Sequence, residues 1–357
     1  MPLLTLYGHS ALRDRFRHAV AQGSLPASLL FQGPRGIGKQ QLALWLAKLL
    51  LCENADRSPC GACRACRMSG AAQHPDLHWF FPRPRPKDSA MDPDDAREDM
   101  AAAIAARMSN GGIYEAPGGE EGIFISTTHA LTRAAVLSPA MGKRKVFVVG
   151  DAERMVAQEG NDQAANAFLK LLEEPPADTT VILTSSEPGA LLPTIRSRVV
   201  SVRVAPLSDD EVRAFLADPT VANQLDLGSA ARTDELIGLA GGAPGRLIGR
   251  ETWEAALGQA RKILDAANAP DRGTRMRVAL AQGGSGARGK FSDTLDALTM
   301  LLHERSRQAV HRGNDAEASG AARAVAAVEE TKELAYGNVN PQLLTASLLR
   351  QLASMSK

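Results

Sequence analysis

Residues Gly33-Pro34-Arg35-Gly36-Ile37-Gly38-Lys39 read G-x-x-x-x-G-K, and no other stretch restricts the chain so strongly. Before them, Ser28-Leu29-Leu30-Phe31 is a short apolar run with strand character. After them, Gln40 to Leu51 contains neither Pro nor Gly and reads as a helix. A strand, a glycine loop and a helix in that order form the setting in which this motif cradles phosphate. Gly33, Gly36 and Gly38 let backbone N–H groups turn toward phosphate oxygens. The helix adds its positive end, and Lys39 adds a point charge. A glycine turn without a ligand is the plain alternative, and the flanking strand and helix favour the P-loop.

The rest of the first half extends an α/β pattern. Leu12, Phe16 and Val20 recur at helical spacing within residues 8 to 22. Val146 to Val149 is a continuous apolar run, as in a central parallel strand, and Val181 to Thr184 reads as another core strand. Ala164 to Glu174 reads as a helix stopped by Pro175-Pro176. The alternation predicts a parallel sheet covered by helices on both faces, within residues 1 to 204. Strand signals then fade. Residues 205 to 250 read as a small helical unit, opened by Ser208-Asp209-Asp210-Glu211 as a capping box into Val212 and Phe215. Residues 251 to 357 read as all-helical, with a Gly-rich break at Gly283 to Gly289. Residues 82 to 122 open on Pro82-Arg83-Pro84-Arg85-Pro86 and carry Gly118-Gly119 and Gly122. They read as a partly disordered surface insertion with one helix at 94 to 108.

The P-loop lacks two parts of a magnesium site. The residue after Lys39 ordinarily supplies a hydroxyl to the metal, and here it is Gln40. The strand Val146 to Val149 should lead into an Asp-Glu pair, and here it leads into Gly150-Asp151. Asp151 holds the second acid position, one carbon shorter than Glu. It reads as a turn or helix cap before it reads as a catalyst. The two departures look like separate defects that work against hydrolysis.

All four cysteines fall in Cys52-x7-Cys60-x2-Cys63-x2-Cys66. Four soft thiolates on one short loop suit tetrahedral zinc, and x2 spacing lets neighbours wrap one ion. Arg57, Arg64 and Arg67 would offset the charge of such a centre. Iron–sulfur spacings differ, and four free thiols is the plain alternative. With no open ligand position the zinc would be structural.

Composition narrows the partners. Lys+Arg 41 against Asp+Glu 40 gives a net charge of +1, unlike a chain coated in DNA-binding charge. No stretch approaches membrane-span length, and Met1-Pro2-Leu3-Leu4 lacks a signal-peptide plan. The cytoplasm is the expected compartment.

Several strings together resemble the clamp-loader AAA+ subunits of bacterial DNA polymerase III. Residues 25 to 43, LPASLLFQGPRGIGKQQLA, resemble that family's P-loop entry. The cysteine cluster resembles its zinc module, with a first spacing one residue shorter. Asn166-Ala167-Phe168-Leu169-Lys170-Leu171-Leu172-Glu173-Glu174-Pro175-Pro176 resembles N-A-L-L-K-x-L-E-E-P-P, the most specific match. Leu192-Pro193-Thr194-Ile195-Arg196-Ser197-Arg198 resembles the stretch ending in Ser-Arg-Cys, with Val199 in place of Cys. Gly242-Ala243-Pro244-Gly245-Arg246 resembles the lid segment that carries a sensor arginine. The likeness covers residues 8 to 80 and 123 to 250 well and residues 251 to 357 loosely.

The resemblance implies a P-loop AAA+ domain, a helical lid and a C-terminal helical collar. It implies assembly with other clamp-loader subunits in a hetero-pentamer, and indirect contact with a sliding clamp and primed DNA. Gln40 and Gly150 place the chain nearest the delta-prime branch, the stator-like member. That branch belongs to a nucleotidyltransferase holoenzyme without hydrolysing ATP itself. Arg198 would then act as an arginine finger on a neighbour's ATP, with Gly33, Gly36, Gly38, Lys39, Gln40, Asp151 and Arg246 lining a degenerate nucleotide site. Three other readings stand beside this one: an independent P-loop ATPase using Asp151, an ATP-hydrolysing clamp-loader subunit, and a nucleic-acid-binding zinc knuckle. Near-neutral charge and the lack of interleaved aromatics weigh against the knuckle.

Overall fold

A computed structural model describes residues 2–54, 59–85, 92–115, 121–155, 162–225, 233–282, 288–335 and 339–355. Its chain divides into two compact units, Met1–Ile248 and Gly249–Lys357.

Five parallel strands form the first unit's sheet: β1 (Ser28–Gln32), β2 (Leu77–Phe80), β3 (Lys145–Val149), β4 (Thr179–Ser185) and β5 (Val200–Arg203). Their order is β2-β3-β4-β1-β5. The apolar runs read from sequence are the central strands β1, β3 and β4, and every residue of β3 and β4 is buried. Burial on both faces requires helices above and below. The helices of this part of the chain are α1 (Ser10–Ala21), α2 (Lys39–Leu51), α3 (Arg64–Gly70), α4 (Pro93–Ser109), α5 (Ile125–Val136), α6 (Asp162–Glu173) and α7 (Pro193–Arg196). Strands β2 and β5 were not legible in sequence. Each has four residues, and β5 is an edge strand whose side chains are largely exposed.

After β5 come α8 (Asp209–Leu216), α9 (Pro219–Gln224) and α10 (Thr233–Ala240). The capping box forms as read: the Ser208 N–H donates to Glu211 Oε2 at 2.8 Å, and the Glu211 N–H donates to Ser208 Oγ at 3.3 Å. Val212, Leu216, Val221 and Ile237 build a small core here.

The second unit consists of α11 (Arg250–Asn268), α12 (Arg272–Leu280), α13 (Arg288–His311), α14 (Asp315–Ala335) and α15 (Pro341–Met355). Leu257, Ile263, Leu298, Val328 and Leu348 are buried in it. Lys332 bridges α14 to Asp296 of α13 at 2.9 Å. Most of the Gly283 to Gly289 break lies outside the described residues.

The described residues of the segment read as a surface insertion are built into the domain. The helix expected at 94 to 108 is α4, and Met100, Ala103 and Met108 on it join the main apolar core. Arg83 and Gly122 exchange two backbone bonds of 2.9 Å, which closes the base of the segment. Arg83 also grips Asp99 on α4 through two bonds, 2.9 and 3.1 Å. Beyond α4, Gly111 O accepts from the Leu4 N–H at 2.8 Å, and Gly112 O accepts from Gln41 Nε2 at 3.3 Å. The sequence signal failed because an Ala-rich helix shows little apolar contrast between its faces. Residues 86–91 and 116–120 lie outside the described ones.

Candidate functional site

The carboxyl ends of parallel strands are where open α/β sheets hold ligands. Here β1, β3 and β4 end in Gln32, Val149 and Ser185, and the P-loop leaves β1 directly. Gly36 and Gly38 have φ of +83° and +88°, values that favour glycine. A Cβ on Gly33 would lie 2.3 Å from the carbonyl oxygen of Val204, so the chain after β5 can pass close by.

Lys39 is buried, and its ammonium donates to Gly33 O at 2.9 Å, Pro34 O at 2.8 Å and Ser186 Oγ at 2.8 Å. Those three bonds use the three donors of an ammonium group. The segment Gly242 to Arg246 packs against the loop. The Gly245 N–H donates to Gly36 O at 2.9 Å, and a Cβ on Gly36 would come 3.0 Å from the Arg246 nitrogen. Arg246 is thus brought to the P-loop by its backbone, while its guanidinium donates to Ala240 O at 3.2 Å.

At the metal position Gln40 and Asp151 bind each other. Gln40 Nε2 donates to Asp151 Oδ2 at 2.9 Å. Gln40 Oε1 accepts from Trp79 Nε1 at 3.1 Å and from Arg107 Nη1 at 3.4 Å. Gly150 makes room for this. A Cβ there would lie 2.2 Å from Gln40 Nε2, far inside contact distance. The two departures read as separate defects are therefore one steric arrangement. A magnesium ion does not fit these residues. Gln40 brings no hydroxyl, its amide is engaged, and the acid before Asp151 is missing.

Two residues that sequence reading passed over sit beside this network. Ser186, just beyond β4, holds Lys39. Glu153 lies in a 3-10 turn after β3 and is buried. Its Oε1 accepts from the Ser186 N–H at 3.1 Å, while Oε2 has no hydrogen-bond partner among the described residues. Burial first, and Asp151 next, push its carboxyl up to about 7. No motif signals it, because its role comes from depth.

Arg198 follows α7 and is bonded elsewhere. Its guanidinium donates to Thr194 O at 2.8 Å, to Ser197 Oγ at 3.2 Å and to the Glu173 carboxylate. Its side chain keeps 32% exposure. Val199 packs against the sheet core, so the apolar replacement keeps its place.

The four cysteine sulfurs lie within 4.8 Å of one another. Cys52–Cys63 and Cys60–Cys66 are 4.0 and 3.9 Å apart, close to the roughly 3.8 Å edge of a zinc–thiolate tetrahedron. Backbone N–H groups of Cys63 and Cys66 donate to Cys60 and Cys63 sulfur at 3.3 Å each. N–H donors from Cys63 and Ala62 pull the Cys60 thiol down to about 6. Donor set and spacing fit a tetrahedral metal ion, and the shorter first spacing does not prevent closure. Arg57 lies outside the described residues.

Comparison with known proteins follows the same lines. A family model described as DNA polymerase III, delta subunit, matches residues 8–208. The chain belongs to that family. It is 34% identical to DNA polymerase III subunit delta' of Pseudomonas aeruginosa over 236 residues, 66% of this chain and 56% of the relative. It is 28% identical to the Escherichia coli delta' subunit over 251 residues, 68% of this chain and 62% of that one. A gamma/tau subunit of Mycobacterium tuberculosis (strain ATCC 25618 / H37Rv) is 32% identical over 200 residues, 56% of this chain and 28% of the relative. Each match spans less than two thirds of the relative. The delta-prime resemblance read from the motifs agrees with these relatives. Among the described residues, no helix is long and apolar enough to cross a membrane.

Proposed function

We propose that this chain is the stator-like, delta-prime-type subunit of a clamp loader serving a bacterial replicative DNA polymerase. It works in a hetero-pentamer that loads a sliding clamp onto primed DNA. It does not hydrolyse ATP, and it lends Arg198 to a neighbour's ATP. The observation that carries this is the Gln40–Asp151 bond, made in the space Gly150 leaves. A subunit whose metal position is filled by its own amide can still place a guanidinium at its surface. Such a group stabilises charge on a transferring phosphoryl group.

Cys52, Cys60, Cys63 and Cys66 would hold one zinc ion. Bound there, zinc supplies a cross-link between the end of α2 and the start of α3, without chemistry.

Reconstitution tests the reading. The isolated chain should turn over no ATP, while an assembly with the other clamp-loader subunits should load clamps only when this chain is present. ATP turnover by the isolated chain, abolished in Lys39→Ala, would instead support an independent ATPase.

A further inference from the structure

Helix α4 delivers the Arg107 side chain to the P-loop site. Arg107, in the last turn of α4, lays its guanidinium over the ring of Phe81 at 3.3 Å and that of Tyr114 at 3.7 Å. The Trp79 ring centre is 5.5 Å away. From this aromatic cage Nη1 reaches Gln40 Oε1 at 3.4 Å, and Gln40 Nε2 in turn reaches Asp151 at 2.9 Å. A chain of polar contacts therefore runs from a cation, through one amide, to a carboxylate. Trp79 Nε1 and Arg107 both donate to Oε1, and Asp151 accepts from Nε2, so the amide has one orientation that satisfies all three. Arg107 is electrostatically coupled to Asp151, whereas Glu153 has Lys39 nearby and Glu187 pairs with Arg35 at 3.4 Å.

We infer that Arg107 is a built-in cation that takes over, for Asp151, the charge-balancing role a divalent metal has in a working P-loop site. In such a site the bound ion is the largest local charge, and the acids are arranged around it. Here that charge is covalently part of the chain. A planar guanidinium suits the place: it stacks on aromatic faces and stays charged when partly desolvated. The anchors of α4 hold it there: the Arg83–Asp99 pair and the Arg83–Gly122 bridge. The consequence is a P-loop domain complete without magnesium nucleotide. This inference does not depend on the clamp-loader reading, because it concerns only the chain's own site.

The test uses the full chain. Arg107→Met keeps most of the volume and removes the charge. Its melting temperature should fall by several degrees in the wild-type background and by much less when Asp151→Asn is already present. Equal losses in both backgrounds would reduce Arg107 to packing and overturn the inference. Should Arg107→Met fail to fold, wild type decides by calorimetric titration with Mg·ATP. No binding heat at micromolar concentrations is expected, and a micromolar dissociation constant would overturn the inference.

Discussion

A Cβ on Gly150 would stand 2.2 Å from Nε2 of Gln40, so the lost acid and the lost hydroxyl share one space. The amide can cross to Asp151 only because residue 150 has no side chain. Gly150→Ala should therefore cost about 1–3 kcal/mol by overpacking. In a Gln40→Ala background the same change should cost little. Denaturant unfolding of the two single variants and the double variant measures the coupling. Additive losses would show that the two positions are independent after all.

Restoring a metal site should follow the same rule. Gly150→Asp alone places a carboxylate against the amide and should destabilise. Paired with Gln40→Thr it should be tolerated, since the hydroxyl is small and the acid regains its space. Thermal melting of the single and paired variants checks this order.

Glu153 predicts a pH dependence. Its folded-state carboxyl titrates at about 7, above the ordinary 4.5, with burial as the first cause. The unfolded chain therefore loses this proton first as pH rises, and the contribution to stability falls between those two values. Glu153→Gln cannot ionise. Its melting temperature relative to wild type should rise between about pH 5 and pH 8. A constant difference across that range would contradict the assignment.

The cysteine cluster predicts metal content. Purified chain should carry one zinc, and Cys63→Ser should lose most of it. Cys63 would ligate the ion, and it caps α3 by accepting from the Cys66 N–H. Zinc-dependent folding is worth about 10 kcal/mol in small zinc domains. Within a larger domain a chelator should lower the melting temperature and loosen the 52–66 segment first. Elemental analysis measures the metal content, and thermal melting with and without chelator measures the stability; a metal-free chain of unchanged stability would count against the site.

Much of this was legible in sequence for identifiable reasons. Strands β1, β3 and β4 are buried at nearly every position, so each carries an unbroken apolar run: Leu29 to Phe31, Val146 to Val149 and Val181 to Leu183. The P-loop, the capping box at Ser208 and the Pro175-Pro176 stop are local chemistry and need no partners. What escaped depends on distance. Arg107 is an unremarkable residue in an Ala-rich stretch until Phe81, Tyr114 and Gln40 surround it. Glu153 gains its character from burial, which no neighbouring residue announces. Gly150 looked like an absence and is a space already in use.

The central claim concerns where this chain's chemistry lies. The most direct measurement is ATP turnover by a reconstituted assembly in which this subunit alone carries Arg198→Ala. Turnover at the neighbouring site should fall by about 10³ or more, the loss that removing an arginine finger brings, with assembly intact. Unchanged turnover in a fully assembled complex would contradict the account.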